Sequence, residues 1–180
     1  MKKVMVMFAA IAMAIAASAS TFAWGISGGG AIDADTFGGG TAYLFYGTGT
    51  LALPTIDTNV ESFNLAAVTG DGWTMHTSGT VAADGTFYDT SLGNMTSIGG
   101  KTGTIKFYMA VISDDGMSVA LVDAVKSAQI RNTTTAASAG WTASAFTTIT
   151  AQGGGDVPEP TSGLLLLVGG AMLALRRRRA

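Results

Sequence analysis

Two apolar segments bracket this chain and confine whatever folds to the stretch between them. Lys2 and Lys3 precede an uncharged, proline-free run from Val4 to Ala17, and Ala17-Ser18-Ala19 closes it with small residues at the two positions a signal peptidase reads. A positive start, an apolar helix and a small-residue exit are the pattern of a secretory signal helix. Residues 1–19 are therefore expected to be removed, with Ala17, Ala19 and Ser20 at the cleavage site and signal peptidase as a partner. Thr21-Phe22-Ala23 fits the small-x-small rule less well and makes Ala23 the alternative cut.

At the other end, Leu164 to Leu175 is apolar and uncharged. Counted from Thr161 the segment has fifteen residues, which as a helix spans about 22 Å at roughly 1.5 Å per residue. A bilayer core is about 30 Å thick, so length alone does not decide between a membrane span and a packed terminal helix. The flank does: Arg176, Arg177, Arg178 and Arg179 form a self-repelling block, out of place on a packed helix but suited to holding a membrane segment's end in the cytoplasm. Long arginine side chains also reach outward and lengthen the span a short helix covers. The expectation is a single C-terminal transmembrane helix, with the main domain outside and the arginines acting as stop-transfer residues.

Just before that segment stands Val157-Pro158-Glu159-Pro160. The two prolines fix their own φ angles and push their neighbours toward extended geometry, so the stretch does not join the helix that follows. Gln152-Gly153-Gly154-Gly155-Asp156 ahead of it is a flexible spacer. An exposed, extended peptide beside a membrane is what a protease needs. Motif, apolar segment and basic cluster in this order, over about 24 of 180 residues, resemble the PEP-CTERM sorting domain. The resemblance implies an exosortase as partner, cutting near the Pro-Glu-Pro element and passing the protein to the cell surface or an exopolysaccharide matrix. The implied organisation is a signal peptide at 1–19, a β-rich extracytoplasmic domain at 20–152, spacer and motif at 153–160, and membrane segment with arginine tail at 161–180. The protein would be exported, anchored transiently in the inner membrane, then displayed at the surface or in the matrix.

Between Ser20 and Val157 there are four basic residues and eleven acidic ones, a net charge near −7. Such a domain has no electrostatic footprint for nucleic acid and no polybasic patch for anionic lipid. There are no cysteines, so no disulfide staples it. Its size suits one core, and its wealth of glycine, threonine and aromatics with few lysines and glutamates favours strands and turns over helices.

The pattern predicts a mainly β domain, a small antiparallel β-sandwich of six to eight short strands without internal repeats. Gly25 to Gly40 is glycine-heavy and reads as a loose leader with at most one short strand. Thr41–Tyr46 reads as a strand buried on both sides, and Phe63–Val68 as either a strand or a helical turn. Trp73–Thr77 and Thr86–Thr90 read as strands, with Asp84-Gly85 between them as a tight turn. Thr104–Ile112 and Met117–Val122 form the clearest hairpin, joined by Asp114-Asp115-Gly116, with Ile105, Phe107, Met109 and Val111 at period two on the core face. Asp123–Ile130 is ambiguous between helix and strand, and Trp141, Phe146 and Ile149 are the expected anchors of a last strand.

No residue set rises to a catalytic or metal site, and no cofactor is implied. Gly47-Thr48-Gly49-Thr50-Leu51-Ala52 fits a dinucleotide fingerprint formally, but Pro54 stops the helix that the fingerprint needs. Gly100-Lys101-Thr102 would require a glycine where Met95 stands to complete a phosphate loop. Asp33, Asp35 and Gly38 imitate a calcium loop that lacks oxygen ligands at Phe37 and Leu44, and Gly28 to Asp33 misses a calcium nonapeptide by Ala31. Asp114 and Asp115 are turn formers. His76 is the sole histidine and has no evident triad or metal partners. The expected function is a non-enzymatic structural or adhesive surface protein. The alternatives are a secreted carbohydrate-binding module using Trp73, Trp141 and the tyrosines, and a secreted hydrolase, which needs two carboxylates in a cleft or His76 beside a serine.

Overall fold

A computed structural model of the chain describes residues 22–92, 95–131 and 138–153. Its spine is the hairpin that the period-two pattern marks, β5 (Gly103–Ile112) and β6 (Ser118–Val122). Ile105, Phe107, Met109 and Val111 are all fully buried. So are Tyr108 and Ala110 on the opposite side, which alternation alone would have left to solvent.

The topology explains this two-sided burial. β2 (Thr41–Gly47) pairs antiparallel with β5 from Thr41 opposite Ile112 to Gly47 opposite Lys106, and β3 (Thr74–Thr80) pairs with β2 beyond it. On its other side β5 is shared by β6 and by β7 (Lys126–Ile130), and β9 (Phe146–Thr150) completes the sheet beside β6. This sheet has six strands, all antiparallel. The second has three: β4 (Tyr88–Asp89), β1 (Ala23–Ile26) and β8 (Ser138–Trp141).

The two sheets share one apolar cluster. Phe22, leading into β1, packs on Phe107 with ring centroids 5.3 Å apart. Trp24 meets Phe87 edge to face at 4.6 Å, and Phe87 lies so close over Gly79 of β3 that a Cβ there would sit 2.7 Å from its ring. The opposite face of the large sheet is covered by the long passage between β2 and β3. Phe45 and Tyr108 stack there at 4.5 Å, and Trp73 caps Tyr108 edge-on at 4.7 Å.

Four sequence expectations change. Gly25–Gly40 is not a loose leader: β1 is buried along its length, and a helical turn, α1 (Ala34–Phe37), buries Phe37 completely. The glycine content reflects contact, since a Cβ on Gly25, at φ 132°, would lie 2.5 Å from the Phe87 carbonyl oxygen. The domain is not purely antiparallel, because β1 runs parallel to β8 with Trp24 opposite Ala139. The strands on either side of Asp84-Gly85 do not pair with each other: β3 joins β2 and β4 joins β1. The last segment yields two strands rather than one, β8 and β9, one in each sheet. Asn64 decides the Phe63–Val68 ambiguity by capping α2 (Leu65–Val68), its side chain accepting from the Ala67 N–H at 3.1 Å.

Among the described residues no helix is long and apolar enough to cross a membrane. The expected signal helix, the segment at 161–175 and the residues of the cleavage, sorting and stop-transfer sites lie outside the described residues.

Tyr108 ties the core to its cover. Its hydroxyl donates to the Val68 carbonyl and accepts from the Gly70 N–H at 3.2 Å, and burial pushes its phenol from the ordinary 10.0 up to about 12. The unfolded chain therefore releases this proton first. Stability should hold below about pH 10 and fall as pH rises through about 12. Tyr108→Phe should flatten that alkaline fall in denaturant titrations and cost about 1–3 kcal/mol at neutral pH by orphaning two backbone groups.

Candidate functional site

A concavity of about 620 Å³ opens where the two sheets meet. Ile26 and Ser27 at the end of β1, Gly28 to Gly30, Thr80 at the end of β3, and Ala82 and Thr86 to Tyr88 line it. None of these side chains carries a charge. Gly28 and Gly29 have φ of 76° and 68°, and a Cβ on either would meet nothing within 4 Å, so the loop presents bare backbone. Tyr88 is 61% exposed and stands as an aromatic plate on the wall.

The wall is held from beneath. The Ile26 N–H donates to the Phe87 carbonyl at 2.7 Å, and the Trp24 indole N–H to Asp89 Oδ2 at 3.0 Å. Burial alone would raise the Asp89 carboxyl, but hydrogen bonds from Ser91 and Trp24 outweigh it and hold the group below its ordinary value. The Asp84-Gly85 turn sets the far rim: the Thr86 N–H and hydroxyl both donate to Asp84 Oδ1, at 3.0 and 2.6 Å, with Gly85 at φ 78°.

Several of the positions considered for chemistry have structural roles. Gly47 ends β2 and no helix follows it. Lys101 exchanges two backbone bonds with Ile98, at 2.9 and 3.0 Å, around Gly99 and Gly100, both at positive φ. This is a two-residue hairpin loop. Asp33 caps α1, accepting from the Thr36 hydroxyl at 2.6 Å. Asp115 accepts from the Ser113 hydroxyl at 2.6 Å and from the Met117 N–H at 2.8 Å, which together hold its carboxyl below the usual range. No group of three or more His, Asp or Glu side chains that could hold a metal occurs among the described residues.

His76 is placed by a β-bulge. Leu44 faces Thr77 while Phe45 faces Met75, so His76 is the extra residue on β3. Its ring meets Tyr46 edge-on at 5.9 Å, Nε2 is buried without a hydrogen-bond partner among the described residues, and burial pushes the imidazole below its ordinary value. Among the described residues, neither a serine nor a carboxylate bonds it.

All three tryptophans are buried, and each indole N–H has an acceptor: Asp89 for Trp24, the Ala52 carbonyl for Trp73 at 2.8 Å, and the Ala124 carbonyl for Trp141 at 2.9 Å. The sugar-stacking face that the carbohydrate-binding alternative asks of Trp73 and Trp141 is therefore not formed. Tyr88, one of the tyrosines that this alternative included, is the exposed aromatic instead.

Residues 156–179 match the PEP-CTERM protein-sorting motif. The chain thus carries a C-terminal sorting signal of the type that implies export, exosortase processing and targeting to the cell surface. Comparison with curated proteins and with solved structures returns no match, so the β domain is not assigned by likeness.

Buried, hydrogen-bonded indoles should emit at short wavelength and resist acrylamide in the native protein, with quenching appearing only on unfolding. A native tryptophan quenched as readily as a free indole would contradict the placement of all three.

Proposed function

We propose that the chain is a non-enzymatic surface or extracellular-matrix protein, delivered by its two termini and acting through a structural or adhesive β domain. The observation that carries this reading is the sorting motif at 156–179, joined to a domain whose candidate chemical residues are engaged in caps, turns and bulges. Signal peptidase removes residues 1–19 by cutting after Ala19. The alternative cut at Ala23 would delete Phe22, buried against Phe107, and the first residue of β1, at a loss of core packing. The apolar segment at 161–175 then holds the chain in the inner membrane, with Arg176 to Arg179 in the cytoplasm, until an exosortase cuts near Pro158.

Intact-mass and terminal-peptide analysis of the protein from envelope and medium fractions tests this directly. The expected form begins at Ser20, ends near the Pro-Glu-Pro element and lacks Arg179 and Ala180. Recovery of those last residues in the mature form would make the tail a permanent anchor and withdraw exosortase processing.

A second reading, saccharide binding, is favoured by one observation: the uncharged groove pairs the Tyr88 plate with the hydroxyls of Ser27, Thr80 and Thr86. This is suited to a neutral sugar and not to an ionic ligand. An exopolysaccharide of the host matrix is the partner this reading names. Tyr88→Ala should weaken retention on such a polysaccharide by about tenfold, the equivalent of about 1.4 kcal/mol, while changing stability by less than about 0.5 kcal/mol. Unchanged retention would leave the structural reading alone.

A further inference from the structure

Sheet edges must be managed, because a strand with a free row of N–H and C=O groups is a template for another chain. This protein manages most of its edges. β4 has only two residues. β3 carries the bulge at His76, which breaks its regular ladder. β7 begins with Lys126, is followed by Arg131 and lies against β8.

β9 has none of these devices. It pairs with β6 without a register shift, from Phe146 opposite Val122 to Thr150 opposite Ser118. Its sequence, Phe-Thr-Thr-Ile-Thr, has no charge, proline or glycine and is mostly β-branched. Among the described residues, no backbone hydrogen bond reaches its outer side. Thr147, Thr148 and Thr150 are exposed.

We infer that the outer edge of β9 is a self-association surface on which a second copy of this chain docks by antiparallel β9–β9 pairing, extending the six-stranded sheet across a two-fold axis. Charge favours this edge. Between Ser20 and Val157 the chain is acidic, with eleven acidic residues against four basic, so two copies carry like net charge, whereas β9 itself is uncharged and offers each a neutral ladder. A partner chosen for its basic charge would find none of the acidic groups on β9 itself. An antiparallel pair is also self-complementary: every threonine of one β9 faces β9 of the other, as a closed two-fold interface requires. The inference does not depend on the surface or saccharide readings.

The absence of cysteine from the chain makes the test clean. Thr148 is the central residue of β9 and faces its own copy in a symmetric pair, at a Cα separation of about 4.5–5.5 Å, within disulfide range. In the mature protein from its host, Thr148→Cys should give a reducible, covalent dimer, while Ser78→Cys on exposed, bulged β3 should stay monomeric. Sedimentation should show a dimer for the wild type and a monomer for Thr148→Lys, which should still unfold cooperatively, so that pairing and not the fold is lost. A wild-type protein that sediments as a monomer, a dimer that survives Thr148→Lys, or equal crosslinking through Ser78→Cys would each overturn the inference.

Discussion

Two adjacent rings on one strand, Phe107 and Tyr108, decide how the rest of the molecule is arranged. Alternation along β5 sends them to opposite faces of the large sheet, and both are completely buried, so each face needs its own cover. Phe22 and the small sheet cover Phe107, and Trp73 with the passage from Thr48 to Gly72 covers Tyr108. β5 can carry ten residues of such strand because β2 flanks it on one side while β6 and β7 divide the other between them. The bend between β6 and β7 brings β8 beneath the indole-accepting Ala124 carbonyl, and Trp141 locks it there. The long loop after β2 is thus a second layer of the core, anchored by the Tyr108 hydroxyl and by α2.

What was legible in the sequence is what periodicity can encode. Ile105, Phe107, Met109 and Val111 announce a core face, and Asp114-Asp115-Gly116 announces the turn, because both signals are local. The burial of Tyr108 on the other face was not legible, since it depends on Trp73 and Val68 arriving from another part of the chain. β1 was legible only as at most one short strand in a loose leader, for a related reason. Four residues containing Gly25 show no period, and the parallel partner of Trp24, Ala139, lies near the far end of the domain. Gly25 is present because the Phe87 carbonyl leaves no room for a Cβ, so a residue that reads as looseness marks the tightest contact of the small sheet.

The candidate groove was hidden by the same mixture of local and distant causes. Tryptophan is the usual marker of a sugar platform, but an indole also fills a core when a carbonyl or carboxylate waits for its N–H. Ala52, Asp89 and Ala124 supply those acceptors here. Tyr88 carries less signal in the sequence, being one tyrosine among four, and it is exposed because β4 ends one residue later and leaves its ring unopposed. Asp89 shows how one carboxylate serves two ends: it satisfies the buried Trp24 indole and, through Ser91, ends the strand that carries Tyr88 outward.

The junction between domain and sorting signal follows from where the ladder stops. β9 is the last described strand, and the two residues after it are still tied down: the Ala151 N–H donates to the Met117 carbonyl at 2.9 Å and the Gln152 N–H to the Thr58 carbonyl at 2.8 Å. Gly153 then takes φ 57°, a conformation that turns the chain out of the strand direction. The matched motif begins at residue 156, three residues past this point. A cut near Pro158 would leave every described hydrogen bond and the described cluster of buried side chains together on the N-terminal product.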